Sequence, residues 1–174
     1  MVLGSAALLG CSVFSISTHA AEVKVTWEEP ESYSDVRPSN ETRKRFRDRT
    51  FSQLEAHIVE LAQSLPESQT LSITVTNVDL VGEVWPSQFV GFGMGGPNDI
   101  RVIRRIDIPR ITFSYSLSDE NEQVIVSEDD VTIKDMNFME SAIRRHRNDP
   151  LSYEKNMLDD WFADTFPKQV AVNN

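Results

Sequence analysis

The chain has 174 residues, 40% hydrophobic and 9% aromatic, enough to build one domain with a real core and too apolar for a chain disordered throughout. Its formal net charge of −10 at pH 7 argues against nucleic acid or anionic lipid as a general partner, since a surface of that sign repels both.

Residues 1–20 carry no Asp, Glu, Lys or Arg and run directly into a polar stretch, which is the pattern of a targeting segment and not of a folded element. Two processing routes compete. The apolar run Val2 to Ile16, followed by small residues at Thr18 and Ala20, suits cleavage before Ala21 and leaves residues 21–174 as a single domain. Alternatively, Leu8-Leu9-Gly10-Cys11 resembles the box at which a bacterial lipoprotein is lipidated on its cysteine. The segment lacks a basic start, a departure from both routes, and at about 15 apolar residues it is shorter than the roughly 20 of a membrane span. Either route carries the chain across the inner membrane of a bacterium, so the expected location is the periplasm, with a lipid anchor through Cys11 as the alternative. Removal or lipidation of Cys11, the one cysteine, leaves no thiol for a disulfide, a nucleophile or a metal ligand.

Val23, Val25 and Trp27 alternate in a first strand that Pro30 ends. A long amphipathic helix follows, capped by Ser39 or Asn40, carrying Phe46, Phe51, Leu54, Ile58 and Leu61 on one face and stopped by Pro66. Leu71, Ile73 and Val75 then alternate until the apolar phase flips to Val78 and Leu80, which predicts a bulge near Thr76 and Asn77. Residues 100–118 read as one strand, a corner at Pro109 and a second strand, Ile111 to Leu117, whose continuation through a turn at 118–123 makes an antiparallel hairpin reaching Ile133. A short helix capped by Asp135 comes next. The last helix has Asp149 as cap, Pro150 in its first turn and Tyr153, Met157 and Trp161 on one stripe. The order describes an α+β fold, a small antiparallel sheet packed against the long helix and the C-terminal helix.

The stretch Gly91 to Arg110 concentrates glycine and arginine, and Gly91, Gly93 and Gly96 satisfy the spacing G-x-G-x-x-G. That spacing binds a dinucleotide only between a strand and a helix N-terminus, and here Pro97, Asn98 and a strand follow instead. Pro97-Asn98 also stands where a phosphate loop needs Lys and Ser or Thr. The sequence therefore implies no nucleotide and no other cofactor. What remains is a connection bearing Trp85, Phe89, Phe92 and Met94, which either folds back over the sheet or serves as a lid or partner contact.

Twelve of the seventeen basic residues fall in three runs, 43–49, 101–110 and 144–147. Converging, they would grip a phosphate, sulfate or carboxylate; dispersed, they pair with the surplus of acidic side chains. Asp79 and Glu83 are the candidates for a carboxylate pair, while no calcium-loop pattern and no nucleophile elbow is present. Of the three histidines His19 leaves with the leader, His57 sits on the long helix and reads as a partly buried helix residue, and His146 remains. Two histidines without cysteine are too few for a zinc site, and none is expected.

In the segments LSITVTNVDLVGE, DIRVIRRIDIPRITFSYSL, EDDVTIKDMNFM and LSYEKNMLDDWF the chain resembles the bacterial family known as domain of unknown function 3016, from about Val25 to Phe166. Asp79, Arg101, Arg104, Pro109, Arg110, Asp135, Tyr153, Glu154 and Trp161 match its pattern. The resemblance implies a small exported protein and carries over no catalytic residue. The functional expectation is a non-enzymatic envelope domain that binds a partner protein or an anionic component, with Arg101, Arg104 and Arg110 beside Asp79, the Gly91 to Gly96 loop closing over them, and Trp85 and Phe92 among the binding residues. The alternative is a hydrolase using Asp79 and Glu83 under a glycine-rich lid.

Overall fold

The computed structural model describes residues 20–34, 41–85, 100–146 and 148–167. Its elements are β1 (Glu22–Trp27), α1 (Arg43–Ala62), β2 (Thr70–Asp79), β3 (Glu83–Trp85), β4 (Ile100–Val102), β5 (Arg110–Ser118), β6 (Val124–Lys134), α2 (Phe138–Arg145) and α3 (Ser152–Thr165). Strands β1-β2-β5-β6 form one sheet, and β3 with β4 forms a separate two-stranded ribbon. The fold is α+β, as expected, but the sheet is mixed. β1 and β2 run parallel because α1 crosses over between them, and such a connection returns the chain to its starting end.

The core lies between one face of the sheet and the two long helices. Leu71, Ile73, Val75 and Val78 of β2 and Ile111, Phe113, Tyr115 and Leu117 of β5 meet Phe51, Leu54 and Ile58 of α1 and Met157, Leu158, Trp161 and Phe162 of α3. The Trp161 ring stands edge-on to Phe113 at 4.8 Å and to Tyr115 at 5.3 Å, while Trp27 stacks on Phe51 at 3.9 Å. The intervening positions Ser72, Thr74, Thr112, Ser114 and Ser116 are half-buried hydroxyls on the opposite face.

The expected bulge forms, with the β2–β5 register shifting between Val75 and Asn77. Residues 28–34 fill it. The Val75 carbonyl accepts from Glu28 N at 2.9 Å and from the Tyr33 hydroxyl at 2.6 Å, and Asn77 Oδ1 accepts from Ser34 N at 3.0 Å. Burial pushes the Tyr33 hydroxyl up to about 12, against the effects of a hydrogen bond with Glu28 and the Arg47 charge, so it stays a donor. Tyr33→Phe should lower stability by about 1 kcal/mol in a denaturant titration, and not more, because Val75 O keeps its bond from Glu28.

Thr42 caps α1, its hydroxyl accepting from Arg45 N, whereas Ser39 and Asn40 lie outside the described residues. The first turn holds Arg43, Lys44 and Arg45, an unfavourable charge for a helix start, so α1 owes its stability to its buried face. Its basic run is paired locally: Lys44 with Asp48, Arg47 with Glu31, Arg49 with Glu41. Asp135 is not the cap of α2. It sits two residues earlier than Asn137, the cap, and accepts that residue's N–H at 2.7 Å. Asp149 is not the cap of α3 either: Leu151 is, with Pro150 before it, and Asp149 accepts from Leu151 N at 2.8 Å and binds Lys155, closing the turn into the helix. No helix among the described residues is long and apolar enough to cross a membrane.

Candidate functional site

The β3–β4 ribbon is two strands of 3 residues each, too little sheet to persist by itself. A turn at Gly82, with φ +70°, leads into it from the fully buried Val81. Arg101 on β4 then pins it to the start of α3. Its Nε donates to Val81 O at 2.5 Å, Nη1 to Pro150 O at 2.6 Å and Nη2 to Glu154 Oε1 at 2.8 Å. The same Glu154 oxygen accepts from Val81 N at 2.8 Å. Glu154 has no exposed surface and stands in the first turn of α3, where the helix dipole favours its charge. Arg101 therefore spends its donors inside the molecule.

Arg104, in the turn after β4, grips Asp107 with Nε at 3.0 Å and Nη2 at 3.1 Å, and Nη2 also reaches Glu83 Oε1 at 3.1 Å. The hydrogen bond from Arg104 holds the Asp107 carboxyl below its ordinary range, and Asp107 in turn raises the guanidinium. The second oxygen of Glu83 accepts from Trp85 Nε1 at 2.8 Å. A continuous polar chain, Asp107–Arg104–Glu83–Trp85, thus fixes an indole that is 41% exposed.

Asp79 and Arg110 are register partners on β2 and β5, with Lys134 opposite Arg110 on β6. Their ion pair is 3.7 Å long, beyond hydrogen-bond range and half open to water, so its contribution is below about 1 kcal/mol. Burial pushes the Asp79 carboxyl up, Arg110 opposes this, and Asp107 adds to it. The three arginines proposed from sequence are thus divided among different carboxylates. Asp79 and Glu83, the carboxylates of the hydrolytic alternative, belong to separate arginines too. Phe92, with Phe89, Met94 and the Gly91 to Gly96 loop, lies outside the described residues, as do residues 1–19 with Cys11.

A second cluster joins three elements. His57 on α1 is only 4% exposed, and its Nε2 lies 2.7 Å from Asp159 Oδ1 on α3. His146, just past α2, places Nε2 at 2.9 Å from Asp159 Oδ2, and the two imidazoles meet edge-on at 5.0 Å. Arg145 touches Asp159 at 3.4 Å and holds Asp160 at 2.6 Å. Burial raises the Asp159 carboxyl, yet the hydrogen bonds and charges of both histidines outweigh it and bring it below the ordinary range. The one visible signal in sequence is His57 standing in the apolar stripe between Leu54 and Ile58. Nothing local connects it to Asp159, 102 residues away.

Beside this cluster, Lys134, Asp135, Asp160, Trp161 and Asp164 line an open pocket of about 310 Å³ between β6 and α3.

No curated protein and no solved structure matches the chain. A family model described as "Protein of unknown function (DUF3016)" matches residues 21–164, which include both clusters and, among the described residues, every strand and helix but for Thr165 at the end of α3. The chain therefore belongs to the DUF3016 family.

Proposed function

We propose that this protein is an exported, non-enzymatic binding domain of the bacterial envelope and that it engages a partner protein through the Trp85 end of the β3–β4 ribbon. The observation that carries the reading is the fixed tryptophan. An exposed aromatic side chain ordinarily loses rotamer freedom on binding, at about 0.5–1.5 kcal/mol, whereas Trp85 is already held by Glu83 and Arg104. Pre-organised tryptophans of this kind are the anchors of protein interfaces. Ile106, 77% exposed, adds apolar surface in the Arg104–Asp107 turn that follows β4. Phe89, Phe92 and Met94 follow Trp85 closely in sequence.

An anionic envelope component is the weaker ligand, because Arg101 and Arg104 already donate to acceptors within the protein. Export is inferred from the uncharged residues 1–20. The test is crosslinking in cells of a tagged, natively exported copy, followed by mass spectrometry of the recovered material. A single dominant partner, lost with Trp85→Ala and weakened several-fold with Arg104→Ala, is expected. Recovery of the uncrosslinked monomer, or undiminished capture by Trp85→Ala, would refute the proposal.

A further inference from the structure

We propose that His57, His146 and Asp159 bind one divalent transition-metal ion of the zinc, copper and nickel class. Their donor atoms, the two imidazole nitrogens and a carboxylate oxygen, all lie within 4.8 Å of one another. A tetrahedral ion with bonds of about 2.0–2.2 Å needs donors about 3.3–3.5 Å apart. From 2.7 and 2.9 Å the nitrogens have to separate from the Asp159 oxygens by about half an ångström, and the widest donor pair, within 4.8 Å, has to close toward that spacing. Two imidazoles with one carboxylate select borderline-soft ions and disfavour calcium and magnesium, which take oxygen ligands.

The surroundings place a carboxylate near the outer nitrogen of His57. The other ring nitrogen of His57, Nδ1, faces Glu60 Oε2 at 3.6 Å. That distance is beyond hydrogen-bond range, and a small movement of the exposed Glu60 side chain would let it accept from Nδ1–H once Nε2 holds the ion. In the metal-free protein the 2.7 Å contact is a hydrogen bond from His57 Nε2–H to Asp159 Oδ1, so the ion takes the place of a proton already shared between two of its ligands. Arg145 is the group that competes for Asp159. It is anchored on Asp160 at 2.6 Å and half exposed, so it can keep Asp160 and yield Asp159 Oδ2 to the ion. Access is from the side of His146, 23% exposed, while His57 closes the inner wall at 4%. Three protein ligands leave a coordination position for water or for an atom of a second molecule.

The inference is independent of the Trp85 surface. The test uses full-length protein without a histidine tag, stripped with a chelator and titrated with Zn²⁺ and, separately, Cu²⁺. One equivalent of at least one ion should bind, raising the melting temperature in a concentration-dependent way, with Ca²⁺ giving no shift. The ring-proton NMR signals of His57 and His146 in the wild-type protein should move together with the bound fraction, a readout that no variant's folding affects. His146→Gln, which keeps a donor toward Asp159, should lose the bound equivalent while the metal-free melting temperature changes little. Absence of uptake of either ion, or uptake that leaves both histidine signals unmoved, would overturn the site and reduce the cluster to a hydrogen-bond network.

Discussion

Arg101→Met should destabilise the protein by about 3–5 kcal/mol, the cost of leaving a buried charge without its partner. Glu154 has no exposed surface, and its Oε1 carries both the guanidinium and the Val81 amide. Removing the arginine strands the carboxylate and orphans the carbonyls of Val81 and Pro150. The informative variant is the double one. Gln at position 154 is neutral yet still accepts from Val81 N, so Arg101→Met with Glu154→Gln should recover most of the loss. Chemical denaturation of the wild-type protein, the two single variants and the double variant measures the coupling directly. Equal losses in the single and double variants would mean that the bonds from Arg101 to the Val81 and Pro150 carbonyls, and not the charge pair, hold the ribbon to α3.

The features legible in the sequence were those with a local period. The alternation of Leu71, Ile73 and Val75 against Val78 located the β2 bulge, and Ile111 to Leu117 located β5, because burial of one sheet face repeats every second residue. The stripe of Met157 and Trp161 located α3 for the same reason at helical period. The parallel pairing of β1 with β2 was not legible, since periodicity marks which face is buried and says nothing of neighbours. At the candidate sites the residue types were visible and their partners were not. Arg101 meets Glu154 across 53 residues and His57 meets Asp159 across 102, and such contacts depend on how the helices dock on the sheet. Trp85 was singled out as an apolar loop residue, but its fixation by Glu83 and Arg104 needs the ribbon, whose strands of 3 residues are too short for a pattern to reveal.

Gly82→Ala is expected to open the β3–β4 ribbon while leaving the four-stranded sheet folded. The left-handed backbone alone does not forbid a side chain. Glu29, Glu122 and Asp130 adopt φ of 46°, 60° and 55°, each at a cost of about 1–2 kcal/mol. At Gly82 an added Cβ also collides with the backbone oxygen of Val102, the residue that pairs with Glu83 at the start of the ribbon. A backbone atom cannot rotate aside as a side chain does, so relief has to come from separating β4 from β3. The total, about 2–4 kcal/mol, exceeds what a ribbon this short can hold yet stays below the 5–15 kcal/mol that keeps a whole domain folded. Amide exchange is the measurement: protection of residues 83–85 and 100–102 should collapse, while β2 and β5 exchange as in the wild type. Separating β4 from β3 takes Arg104 away from Glu83 and so loosens the indole without removing it, which separates two roles of Trp85. Partner capture that falls with Gly82→Ala as far as with Trp85→Ala would mean that the fixed orientation, more than the apolar area, is what the partner recognises. Capture retained at near wild-type level would assign recognition to the apolar surface itself, with the polar chain from Asp107 to Trp85 serving only to hold the ribbon in place.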